Sequence, residues 1–180
     1  TIDLNGHRLD RKLTTPTENG QVIVVRSATL IIKDSCYDTY TIQNAYKTNP
    51  NVDLTSYCQG KITGGNNIYT GGAIHLTDAN LIIESGAIVN NISQDSGGGV
   101  QAANSTITMK NGLIANNSSK ISVGAINLIS ESTLNFYGGI LYNNTTADGG
   151  GIAASSDTGK SVANIFGGVI AKNSASDDGG

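Results

Sequence analysis

A step of 26 residues runs down the middle of this chain and restricts its fold more than any single residue does. Gly72, Gly98, Gly124 and Gly150 are each 26 residues apart, and Ile74, Val100, Ile126 and Ile152 keep that spacing two positions later. Further along each unit, Asn91, Asn117, Asn144 and Asn173 recur after 26, 27 and 29 residues. A fixed period of this size marks a solenoid, in which one repeat is one turn that buries its apolar face only against its neighbours.

Residues 71–96 show what a turn contains. Gly71-Gly72-Ala73-Ile74-His75-Leu76 alternates small or polar with apolar residues, the pattern of a strand with one buried face. A second run follows at Asn80 to Glu84, and after Gly86 a third at Ala87 to Asn91. The polar stretch Ile92 to Ser96 returns the chain to the next glycine pair. Three short strands and three turns leave no room for a helix in the repeat. Stacked about 4.8 Å apart, each strand pairs in parallel with its equivalents above and below.

The chain is thus predicted to be one all-β domain over 1–180. It reads as a single-stranded solenoid, a parallel β-helix of about six coils, right-handed by the chirality of parallel crossovers. The inward columns Ile83, Met109, Phe136, Ile165 and Ile62, Ile88, Ile114, Leu141, Ile170 are apolar throughout. The outward column Lys33, Glu84, Lys110, Tyr137 alternates charge before it turns aromatic. Asn91, Asn117, Asn144 and Asn173 read as a structural ladder at a corner, where Asn tolerates the left-handed conformation.

The period is broken once. Ile23, Leu30 and Ile32 precede Ile74, Leu81 and Ile83 by 51 residues, whereas Ile62 precedes Ile88 by 26. About 25 extra residues therefore enter at roughly 36–59, between a second and a third strand. Cys36 and Cys58, the only cysteines, flank this loop. Their placement predicts a disulfide closing its base, which implies an oxidising compartment. The loop holds Tyr37, Tyr40, Tyr46 and Tyr57, four of the seven tyrosines, together with Lys47. Tyrosine is over-used at recognition surfaces, and long loops are often functional, so these five residues form the candidate binding set. A loop that only covers one flank of the solenoid is the competing reading.

Composition narrows the function classes. The net charge is −3 with 25 charged residues, which supplies no basic field for nucleic acid. No apolar run approaches a membrane span, so no membrane insertion is expected within this segment. The chain opens at Thr1 in mid-pattern and stops at Gly179-Gly180, where a further repeat would begin, and it reads as a piece of something longer. A polysaccharide lyase or glycosidase would need paired carboxylates or a basic residue over an exposed sheet. The columns Val24, His75, Gln101, Asn127, Ala153 and Val22, Ala73, Gly99, Ala125, Gly151 read instead as a flat, nearly uncharged face. No catalytic residue, cofactor or resident metal is assigned. Asp95, Asp148 and Asp178 fall near one edge and would suit calcium, although solvated turn aspartates explain them more simply.

Thr1 to His7, Thr29 to Ser35 and Gly60 to Gly65 resemble segments of pectin-lyase-like β-helix regions in large bacterial surface proteins. Gly71-Gly72-Ala73-Ile74 and its looser copies resemble the Gly-Gly-Ala-Ile element of polymorphic outer-membrane protein repeats. Ile88 to Asn91, Ile114 to Asn117, Leu141 to Asn144 and Ile170 to Asn173 are similar to that family's Phe-x-x-Asn element, with Ile or Leu in place of Phe. The resemblance implies a secreted or cell-surface, adhesin-like segment whose partner is a host-surface or extracellular-matrix protein or a glycan. A carbohydrate-active enzyme, a lyase or hydrolase of the pectin-lyase-like class, is the alternative, and the sequence favours the non-enzymatic reading.

Overall fold

The structure, a computed structural model, describes residues 1–155 and 159–177. It is a parallel β-solenoid of about six turns. Every strand pairs only with its counterparts one coil away, in register: Ile74 with Val100, Val100 with Ile126, and Ile126 with Ile152. Each coil contributes to four sheets rather than three, two of six strands and two of five. The polar stretch read as a return turn forms the extra sheet from two-residue strands, Asn66–Asn67, Ile92–Ser93, Ser118–Ser119, Thr145–Thr146 and Ser174–Ala175. Two residues are too short to show an alternation, so their polarity hid them.

Departures from the 26-residue step are absorbed at corners. Ala103 pairs with Ile129 at a distance of 26, but Thr106 pairs with Thr133 at 27. The extra residue sits in the turn between, where Ser130 and Glu131 both adopt positive φ and Asn104 alone does so one coil earlier. The strands themselves never change register.

The core is a continuous apolar stack. Ile83, Met109 and Phe136 are fully buried along one wall, and Ile62, Ile88, Ile114 and Leu141 along another. Ile165 and Ile170, in the last coil, have no described coil above them and are exposed. Outside, Asp3–Lys33 and Glu84–Lys110 form ion pairs along the charged column, at 3.1 and 3.2 Å. Tyr137 and Phe166 continue that column as a stacked pair with ring centroids 4.8 Å apart.

The asparagine column lies inside the solenoid. Asn91, Asn117 and Asn144 are fully buried, and each side-chain Nδ2 donates to the Oδ1 of the next, at 2.9, 3.0 and 2.8 Å, the last to Asn173. The same Oδ1 atoms accept the backbone N–H of the preceding asparagine. The left-handed conformation falls one residue earlier than expected, on Asn90, Asn116, Asn143 and Lys172. The ladder residues are spared it because their carboxamides, not their dihedrals, are what the corner uses.

Candidate binding surface on the inserted segment

The insertion is not an open loop. It contains an α-helix, α1 (Thr39–Thr48), and a 3-10 turn (Leu54–Tyr57). Threonine, tyrosine and asparagine are weak helix formers, so α1 owes its existence to capping and packing. Asp38 caps it, accepting from the Thr41 backbone N–H at 3.0 Å and from the Thr41 hydroxyl at 2.6 Å. Those bonds, the hydroxyl first, hold the Asp38 carboxyl below its ordinary range. Asp53 caps the 3-10 turn in the same way through Thr55.

One face of this segment covers the solenoid. Ile42, Leu54 and Cys58 form a second apolar core with Ala87, Val89, Leu113, Ala115, Ile140 and Tyr142, the outward side chains of the third-strand sheet. Tyr37, Ala45, Tyr46 and Val52 pack against it. The Tyr46 ring meets Tyr142 edge-on with centroids 6.0 Å apart, and the Tyr142 hydroxyl donates to the Pro50 carbonyl at 2.8 Å. Asn111 Nδ2 donates to the Thr39 hydroxyl at 2.6 Å, and Lys172 to the Asn51 side chain. The insertion thus straps several coils together.

The expected disulfide is absent, and both thiols are free. Cys58 points into the second core, its Sγ near the Leu54 carbonyl, and burial pushes its thiol up to about 12. Cys36 is exposed and turns the other way, toward Asn5 in the first coil. The base of the excursion is closed by Asp34 instead. Its buried carboxylate accepts the backbone N–H groups of Gly6, Cys36 and Gly60 at 2.8, 3.1 and 3.0 Å. Without reductant, one thiol of the native protein is expected to react rapidly with a disulfide reagent, and the second only after unfolding. Finding none in the unfolded chain would restore the bridge. Cys36→Ser is expected to leave the melting temperature unchanged, whereas Asp34→Ala strands three amides and costs about 3 kcal/mol.

The candidate binding residues therefore separate. Tyr37 and Tyr46 are packed inward, and burial raises the Tyr37 phenol well above its ordinary value. Tyr40 and Tyr57 face outward, 77% and 42% exposed. They line a groove of about 410 Å³ with Thr41, Asn44, Ala45, Thr48, Asn49 and Val52. Lys47 is exposed and lies outside the residues lining it. The lining residues other than Tyr40 and Tyr57 were not anticipated. Their signal was the spacing Tyr40, Asn44, Thr48, which puts three side chains on one helical stripe once a helix is granted.

The face read as flat and open is covered over its middle coils, although Val24 at its start stays 42% exposed. Gln101 and Asn127 are 1% and 5% exposed, and Ala73 and Ala125 belong to the main core. Thr70 and Ser96, each just before a glycine pair, fold across this column. Asn127 Nδ2 donates to the Ser96 hydroxyl at 2.6 Å and to Gln101 Oε1 at 2.9 Å, and the Thr70 hydroxyl pairs with His75 Nδ1 at 3.2 Å. Burial holds the His75 imidazole below its ordinary value. Of the acids weighed for calcium, Asp178 lies outside the described residues, and among the described residues no three metal-binding side chains converge. Comparison with protein-family models, curated proteins and solved structures finds no match to this chain.

Proposed function

We propose that this chain is a non-enzymatic, adhesin-like segment of a secreted or cell-surface protein, related to the pectin-lyase-like β-helix regions it resembles. The solenoid serves as a rigid rod. The insertion is the contact surface, and its ligand is a host-surface or extracellular-matrix protein or a glycan. The observation that carries this reading is the two-sided character of the insertion. Its inner face is committed to the solenoid, while Tyr40 and Tyr57 are held outward on elements fixed at both ends. A rigid platform with exposed tyrosines limits the entropy lost on binding. The burial of Gln101 and Asn127 in the middle of the uncharged face supports the non-enzymatic side, since a carboxylate pair acting on polysaccharide would need that surface open.

Purified protein is expected to bind at least one member of a panel of immobilised collagen, fibronectin, laminin and oligosaccharides. The Tyr40→Ala/Tyr57→Ala double variant is expected to bind at least thirtyfold more weakly, about the loss of one hot-spot contact of 2 kcal/mol. Undiminished binding by that variant would remove the insertion from the reading.

A further inference from the structure

Taking the place of contact from the reading above, we infer that the groove between α1 and the 3-10 turn is a site for an uncharged oligosaccharide. Its chemistry is unusually one-sided. Of its eight lining residues none is charged, although two are tyrosines and four carry amides or hydroxyls, Thr41, Asn44, Thr48 and Asn49. Lys47, the one charged residue of α1, lies outside this set.

Sugars present two kinds of surface, and the groove offers a partner for each. The C–H faces of a pyranose ring pack flat on an aromatic ring, whose π-face is electron-rich. Tyr40 and Tyr57 supply such rings from separate elements, one on the helix and one at the end of the 3-10 turn. The hydroxyls of a sugar both donate and accept. Asn carboxamides and Thr hydroxyls do the same, so they pair with them without regard to charge. The volume, about 410 Å³, lies within the range of small-ligand sites.

The alternatives fit less well. A sialylated or sulfated chain would bring a negative charge into a groove with no cation on its walls. An amphipathic helix would need an apolar row, and only Ala45 and Val52 are aliphatic here.

The test is an array of immobilised neutral, sialylated and sulfated oligosaccharides, probed with the whole chain. Binding is expected among the neutral oligosaccharides. The best-bound one, titrated in solution, is expected to lose at least tenfold in affinity with Tyr40→Ala and with Asn44→Ala. Tyr137→Ala removes an exposed aromatic far from the groove residues in sequence and is expected to leave affinity unchanged. Both groove residues lie on the outward side, so circular dichroism melts should match the parent chain. Silence on all neutral sugars, binding of anionic sugars only, or neutral-sugar binding indifferent to Tyr40 and Asn44 would each overturn the inference. If the neutral sugars are silent but a purified matrix protein binds through Tyr40 and Tyr57, the sugar is wrong and the contact surface stands. If neither binds, both readings fail together.

Discussion

Gly98→Ala is expected to abolish folding of the solenoid or to lower its stability by more than about 4 kcal/mol, while Gly149→Ala is expected to be neutral or slightly stabilising. The two glycines lie two coils apart, at adjacent positions of the repeat, and their surroundings differ. A methyl group on Gly98 would sit 2.4 Å from the Ser118 carbonyl oxygen and 2.6 Å from that of Gly124. Both are backbone atoms one coil away, and neither can swing aside. Making room means prising coils apart, which breaks the Gly98 N–H bond to Val123 and the Gly99 N–H bond to Gly124, both 3.0 Å. Gly72, Gly124 and Gly150 meet the same obstruction, with their nearest backbone atoms at 2.4 to 2.8 Å. The repeated glycine thus answers to close approach between coils, since none of these four has the positive φ that Gly71 and Gly97 show. At Gly149 the nearest atom is 3.4 Å away, ordinary contact, and an alanine there restricts only the unfolded chain. Denaturant midpoints of the two variants decide the matter. If Gly98→Ala melts within 1 kcal/mol of the parent chain, coil spacing is softer than this geometry requires.

What could be read beforehand follows from where the information sits. Strand positions and their pairing were legible because a side chain that is inward in one coil must be inward in the next, so Ile83, Met109 and Phe136 repeat in sequence as they stack in space. The insertion was visible as a break in that period, but its structure was not. Nothing repeats within it, and α1 depends on packing against Val89, Leu113 and Tyr142, which lie roughly 40 to 100 residues away in the chain. A clue existed in the third strands. Ala87-Ile88-Val89, Leu113-Ile114-Ala115 and Ile140-Leu141-Tyr142 are apolar at every position, the mark of a strand covered on both faces. Something had to cover the outside, and the insertion was the only segment without a place. The cysteines misled because their proximity in the loop says nothing of direction. Cys36 turns its thiol toward Asn5 and Cys58 turns its own into the second core, while the base is tied by a carboxylate, Asp34, whose role leaves no trace in a pattern of apolar residues.

Asn117→Ala is expected to cost about 4 kcal/mol, and Asn173→Ala only about 1 kcal/mol, although the two occupy the same position of the repeat. Asn117 is fully buried and works in both directions. Its Oδ1 accepts the Asn91 backbone N–H at 3.1 Å and the Asn91 Nδ2 at 2.9 Å, while its Nδ2 donates to the Ile88 carbonyl at 2.9 Å and to Asn144 at 3.0 Å. Truncation leaves the Asn91 backbone N–H buried without an acceptor and opens a void beside it, and both penalties act where water does not reach. Asn173 makes the same bonds toward Asn144 and Leu141, but it is half-buried in the last described coil, so water can replace what is lost. Asn117→Asp sharpens the test. It keeps the acceptor for Asn91 but turns oxygen toward the Ile88 carbonyl and the Asn144 Oδ1, which only a protonated acid tolerates. Its folded-state pKa must therefore lie above the unfolded value of about 3.9, and protons bind the folded state more tightly. Stability of this variant is greatest below about pH 4 and falls as pH rises toward the folded pKa, the reverse of a salt-bridged aspartate. Unfolding midpoints at pH 4 and pH 7, each referenced to the parent chain, measure this directly. A variant whose deficit is the same at both values would mean that the column is hydrated and that the amide ladder does not carry the corner.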